Sequence, residues 1–116
     1  MDGDPASKRK IVSQLLIADA ELRDIVLQFV DALPSRIAEL KQAYAALDWE
    51  QLALLAHRLK GASGSYGYPE LSTLAAAMEQ AFRAHRAEDF AAWLAHLEAY
   101  VAGAKAGLED SPASAS

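Results

Sequence analysis

The sequence predicts an all-α protein: an up-down antiparallel four-helix bundle with one or more additional short helices at its N-terminus. Three observations carry this. No segment alternates apolar and polar residues with period two for long enough to form a strand. Glycine and proline number only 6 and 4 in 116 residues, too few for the turns of an all-β sandwich, while alanine and leucine abound. Apolar residues recur at spacings of three and four in successive segments joined by short links, and such segments bury their stripes by packing side by side.

Residues 1–7, with Gly3 and Pro5, read as a flexible leader, 8–109 as one helical domain, and the Ser-, Pro- and Ala-rich stretch 110–116 as a disordered tail. A short helix is expected over Lys8 to Ile17, with Ile11, Val12 and Leu15 on one side. Asp19 suits the N-cap of a helix from Glu21, whose stripe is Leu22, Ile25, Val26, Phe29, Val30 and Leu33. Pro34 lacks the N–H that an interior helical position donates, so the helix stops or kinks there. The pattern resumes with Ile37, Leu40, Tyr44 and Leu47, which leaves 21–47 as one bent helix or two.

Asp48, with Gln51 three residues on as capping-box partner, starts the next helix. Its stripe is Leu52, Leu55, Ala56 and Leu59, and it ends near Gly64 or Ser65. Pro69 suits a first helical turn and Glu70 its positive end. Leu71, Leu74, Ala75, Met78 and Phe82 follow. After a polar link from Arg83 to Glu88, the last helix carries Phe90, Trp93, Leu94, Leu97, Tyr100, Val101, Ala104 and Leu108. Leu52, Leu55, Leu59, Leu74, Met78, Trp93, Leu97 and Tyr100 are expected to be buried together.

Composition excludes several function classes. There is no cysteine, hence no disulfide scaffold, thiol nucleophile or cysteine-ligated metal. A net charge of −5 argues against a general nucleic-acid binder. No stretch is apolar and long enough to span a membrane. Lys8-Arg9-Lys10 before an apolar run has the look of a signal peptide, but Ser13 and Gln14 interrupt the run and Asp19 follows it, which suits an amphipathic helix better. A cytoplasmic location is the expectation.

The informative segment is His57-Arg58-Leu59-Lys60-Gly61-Ala62-Ser63-Gly64. On a helical wheel, Leu52, Leu55, Ala56, Leu59 and Ser63 face the core, and His57 faces away. Gly61 lies about 40° from His57 and Gly64 about 20°. Lys60, Ala53 and Leu54 flank the same face. Glycine inside a helix costs roughly 1 kcal/mol relative to alanine, so two glycines beside an exposed histidine need a reason. Access supplies one: without side chains there, another protein's surface can approach the imidazole, with Ala53, Leu54 and Gly64 as its docking contacts. An exposed imidazole is partly neutral and nucleophilic near neutral pH. A lysine one turn away can neutralise charge on a transferring phosphoryl group.

The rest of the chain offers less. A lone exposed helix histidine is ordinarily only surface; His85, near the end of its helix, and His96, at the edge of an apolar face where its ring packs, carry no functional reading either. No histidines stand at metal-ligand spacing on one helix, so no metal site is expected. Trp49, Trp93, Tyr44 and Phe82 read as core. The Ser63 hydroxyl is expected to return to a carbonyl of its own helix. No nucleotide-binding loop is present.

The segment resembles the signature of histidine-containing phosphotransfer (HPt) domains. In these a helix carries His-x-Leu-Lys-Gly-x-Ser, a glycine follows, and the next helix holds leucines and a Glu or Gln. Here those elements are His57, Leu59, Lys60, Gly61, Ser63, Gly67, Leu71 and Glu79. The Phe29-Val30 helix, Pro34 near its end and the Leu47-Asp48 pair agree too, so the resemblance covers roughly Asp19 to Leu108. It implies a monomeric four-helix bundle in which His57 accepts a phosphoryl group from a receiver-domain aspartyl phosphate and passes it to another receiver. It further implies that Lys60 steadies the phosphate and Gly61 clears space for the receiver. Glu79, or less well Gln80, would bond the other ring nitrogen and leave Nε2 as nucleophile. Response-regulator receivers and a hybrid sensor kinase are the implied partners. The receiver brings magnesium, so the chain would need no cofactor and have no kinase activity of its own. Arg58, Tyr66 and Tyr68 depart from the usual pattern and are expected to bear on which receiver docks. The alternative is a non-catalytic helical adaptor that binds receivers or other partners without carrying phosphate. A dimerising kinase helix fits less well, because no acidic residue follows the histidine and no proline stands one turn on.

Overall fold

A computed structural model describes residues 10–109. The leader over 1–7, the first two residues of the expected N-terminal helix and the tail over 110–116 lie outside the described residues. The elements are α1 (Gln14–Ala18), a 3₁₀ turn (Ala20–Leu22), α2 (Arg23–Ala45), α3 (Trp49–Ser65), α4 (Pro69–Arg83) and α5 (Phe90–Glu109). Among the described residues there is no strand.

Each long helix packs on the next, and α5 closes back on α2. Cross-helix pairs give the directions. Between α3 and α4, Ser72 Oγ donates to the Lys60 carbonyl while His57 meets Glu79, so residue numbers rise on one helix as they fall on the other. Between α2 and α5, Arg23 reaches the Leu108 carbonyl and Tyr44 stacks on Phe90. At the opposite end of the bundle, around the α3–α4 turn, Phe29 stacks on Tyr66 and Tyr68 meets Tyr100 edge-on. Neighbours are therefore antiparallel, around one core that includes Val26, Val30, Leu40, Leu52, Leu59, Leu71, Met78, Phe82 and Leu97.

Three helix ends close in the same way. The second residue past the last helical carbonyl adopts a left-handed φ, and the backbone returns two N–H bonds to the last turn. At α3 that residue is Gly67 (φ 86), with Tyr68 N–H on the Ser63 carbonyl. At α2 it is Leu47 (φ 52), with Asp48 N–H on Ala43, and at α4 it is His85 (φ 57), with Arg86 N–H on Ala81. A side chain at such a φ costs of order 1 kcal/mol, so the tertiary fold holds Leu47 and His85 there.

Several expectations are corrected. At Pro34, where the pattern allows one bent helix or two, α2 is one helix, and buried Val30, Leu33 and Ile37 hold it to the core on both sides of the missing hydrogen bond. Asp19 caps the 3₁₀ turn, its carboxylate accepting from Glu21 N–H, and α2 begins only at Arg23. The N-terminal helix is short: residues 10–13 are not helical, with Ile11 N–H bonded to the Gly103 carbonyl and Ser13, itself extended, capping α1 through Leu16 N–H. Ile25, Tyr44 and Leu47 are exposed, because Leu47 belongs to the turn and Tyr44 lies flat on Phe90 at the rim. Of the eight residues expected to be buried together, Leu74 and Trp93 are only partly covered. Asp48 does cap α3, accepting from Gln51 N–H at 3.1 Å, and Pro69 opens α4. Among the described residues, no helix is long and apolar enough to cross a membrane.

Candidate functional site

α3 is fixed along one side by Leu52, Leu55, Ala56, Leu59 and Ser63, all buried. That registration turns His57 outward, with its side chain 57% exposed. α4 is fixed by Leu71, Ala75, Met78 and Phe82, and the same phase carries Glu79 to the seam with α3, where it is buried.

At the seam the Glu79 carboxylate gathers three partners. His57 Nδ1 lies 3.2 Å from Oε2, Lys60 Nζ lies 3.1 Å from Oε1, and Arg83 donates to Oε2 through Nε at 3.0 Å and through Nη2. The Arg83 hydrogen bonds, reinforced by Lys60, hold the Glu79 carboxyl down at about 2 against the opposing effect of burial. An ionised carboxylate only accepts, so the contact with His57 requires the proton on Nδ1. In the neutral ring Nε2 then carries the lone pair, and among the described residues it has no hydrogen-bond partner. The tautomer thus follows from the charge state of Glu79.

Beside the ring, a β-carbon built on Gly61 would meet nothing within 4 Å among the described residues. One at Gly64 would lie 3.5 Å from Ser72 Oγ, in ordinary contact, so this glycine is exposed but flanked by α4. A cleft of about 470 Å³ adjoins His57, walled by Trp49, Leu54, Phe82, Arg83 and His85. Trp49 and His85 stack at 5.3 Å, so the left-handed turn after α4 presents a flat aromatic pair at the cleft's edge.

The structure therefore brings His57, Lys60 and Glu79 together with open space at Gly61. Leu54 is 40% exposed, whereas Ala53 is buried and forms the cleft floor instead of a surface contact. Gln80 is exposed, and it is Glu79 that meets His57 Nδ1. Tyr68 is fully buried and Tyr66 stacks on Phe29, so these tyrosines support α2 and Tyr68 cannot touch a docking partner. The Ser63 hydroxyl, expected to bond its own helix, has no partner among the described residues.

Arg83 escaped the sequence reading, which ended the helix there and treated it as link. The signal was present in the Glu79–Arg83 spacing, since residues four apart share a helix face. His85 also gains a place at the cleft. Among the described residues, no group of three or more acidic or histidine side chains could hold a metal ion.

No curated protein and no solved structure matches the chain at a significant level. A family model, that of the Hpt domain, matches residues 24–107, a span that takes in nearly all of the four long helices and every member of the Glu79 cluster. On that match, joined to a helical bundle that lifts one histidine beside a lysine and a glycine, the chain belongs to the Hpt domain family of histidine-containing phosphotransfer domains.

Proposed function

We propose that the chain is a phosphocarrier of a two-component phosphorelay, taking a phosphoryl group on His57 Nε2 from the aspartyl phosphate of a receiver domain and passing it to another receiver. Family membership supports a histidine phosphotransfer role in general. The observation that carries the specific assignment is the Nδ1 contact with ionised Glu79, which aims a free Nε2 lone pair away from the seam.

The Nε2 lone pair attacks phosphorus. The N–P bond forms as the P–O bond to the receiver's aspartate breaks, and the aspartate leaves as a carboxylate. Nδ1 keeps its proton, so the phosphorylated ring carries a positive charge beside Glu79. Lys60, three residues after His57 on the same helix, would turn from Oε1 to the phosphoryl oxygens, and Gly61 leaves the approach open. The receiver's acidic pocket would supply the magnesium ion, and its docking contacts would be Leu54, the cleft behind it and the Gly61–Gly64 face. The carrier acts as a monomer in this reading, with receivers and a hybrid sensor kinase as partners.

Incubation with a phosphorylated receiver domain and magnesium tests this. The expected result is acid-labile, base-stable phosphate on the native chain and none on His57→Gln, with unchanged helical circular dichroism, because an exposed side chain contributes little packing energy. A His57→Gln chain that still takes up such phosphate overturns the assignment. A native chain that binds the receiver but takes up none returns the adaptor reading.

A further inference from the structure

Glu79 has one cation more than its charge requires. Its side chain is only 9% exposed, and an ionised carboxylate so covered needs a counter-ion. Lys60 or Arg83 alone would meet that need, and both are present. They are attached differently. Arg83 stands four residues after Glu79 on the same helix and turns two donors onto Oε2, the oxygen that also faces His57 Nδ1. Lys60 crosses from α3 and places a single ammonium on Oε1. The planar guanidinium fork is fixed by its geometry, whereas an ammonium on a four-carbon stem turns freely to a new acceptor.

The charges explain why two cations are useful. With His57 neutral, the cluster of His57, Glu79, Lys60 and Arg83 carries one net positive charge. Transfer adds a phosphoryl group of about −2 and leaves the ring positive, which makes the cluster neutral. Without Arg83 the phosphorylated cluster would be net negative around a buried carboxylate, and Lys60 would have to serve both Glu79 and the phosphoryl group.

We propose that Arg83 is a positioning residue of the phosphoacceptor site: it holds Glu79 against His57 and stays as its counter-ion, so that Lys60 can leave for the phosphoryl group. This rests on the phosphotransfer reading. The bonds made and broken are those of the transfer step above; Arg83 contributes no proton and touches neither phosphorus nor the leaving group. The Glu79 carboxyl, held low chiefly by Arg83, is consistent with a permanent pairing of the two.

The test is a double-mutant cycle on the full chain, with phosphoramidate as donor, in which the N–P bond to ammonia breaks as the bond to Nε2 forms. Arg83 is 62% exposed, so Arg83→Met should fold normally by circular dichroism. Arg83→Met should slow phosphate uptake on His57 about tenfold, and Arg83→Lys should restore it to within about threefold. In the Glu79→Gln background no buried carboxylate claims Lys60, and there Arg83→Met should cost less than about twofold. Uptake by Arg83→Met at the native rate overturns the proposal. So does a loss of equal size in the Glu79→Gln background. A loss confined to transfer from a receiver domain also overturns it and assigns Arg83 to docking. A native chain that takes up no phosphate from either donor fails at the phosphotransfer reading itself.

Discussion

Two glycine-bearing regions of this bundle use the same residue for opposite ends. On the His57 face, the position of a Gly61 β-carbon is empty. At the far end of α3 and along α5, Gly67 and Gly107 are filled by the chain itself. A β-carbon on Gly107 would stand 2.1 Å from the Ile11 carbonyl oxygen, and one on Gly67 would stand 2.4 Å from Leu15 N, at a φ of 86. These two glycines let the N-terminal segment lie against the bundle. There Ser13 donates to the Tyr66 carbonyl at 2.6 Å and Gln14 N–H to the Gly67 carbonyl. A glycine whose side-chain space is already occupied serves the fold. A glycine in mid-helix whose space stays vacant costs stability with no return inside the molecule, which is the mark of a surface shaped for something outside it.

Substitutions at the two places should separate these uses. Gly107→Ala meets backbone atoms that cannot yield, and should lower the unfolding free energy by about 3 kcal/mol, read by urea denaturation. Gly61→Gln should do the reverse, raising it by about 0.5 kcal/mol through helix propensity. Yet transfer from a receiver to the same variant should fall about 100-fold, equivalent to about 2.7 kcal/mol, because the approach to Nε2 is blocked. Uptake from phosphoramidate should fall only a few-fold. Equal loss with both donors would mean a distorted imidazole, and no loss with the receiver would erase the contrast between the two regions.

A further effect should follow pH. The His57 face contains the buried carboxylate Glu79, whereas Ser13 at the N-terminal seat is neutral. The folded-state value of Glu79 lies near 2, below its ordinary 4.5, so folding favours its ionised form. That stabilisation is full above about pH 4.5 and is lost as the pH falls towards 2. The thermal midpoint of the native chain should drop through this range more steeply than that of Glu79→Gln. Parallel curves would mean that the carboxylate is not coupled to folding.

Much of this was legible in the chain because it depends on local rules. Asp48 followed by Gln51, Pro69 at a first turn, and stripes such as Leu52-Leu55-Ala56-Leu59 set helix starts and phases without reference to any other element. The failures fall where distant parts meet. At Pro34 local rules leave one bent helix or two, and the choice of one is made by core contacts on either side. The segment before α1 is too polar and short to persist as the helix its pattern suggests, and it is drawn out by hydrogen bonds to Gly67 and Gly103, more than fifty residues away. Tyr68 reads as a surface feature beside a glycine turn, and instead it fills the space between α2 and α5.

The candidate site divides along the same line. His57, Lys60, Gly61 and Gly64 lie on one helix, and their common face follows from 3.6 residues per turn, so the sequence alone determined it. That determination needs only backbone geometry, which is the same in every helix. The tertiary structure decided what the face can do. The 3.2 Å contact of His57 with Glu79, the convergence of Lys60 and Arg83 on that carboxylate, and the burial that turns Ala53 into a cleft floor all arise between α3 and α4. Those distances depend on how two helices are rotated and spaced against each other. Rotation and spacing are set by the packing of the whole core, which no single helical pattern contains.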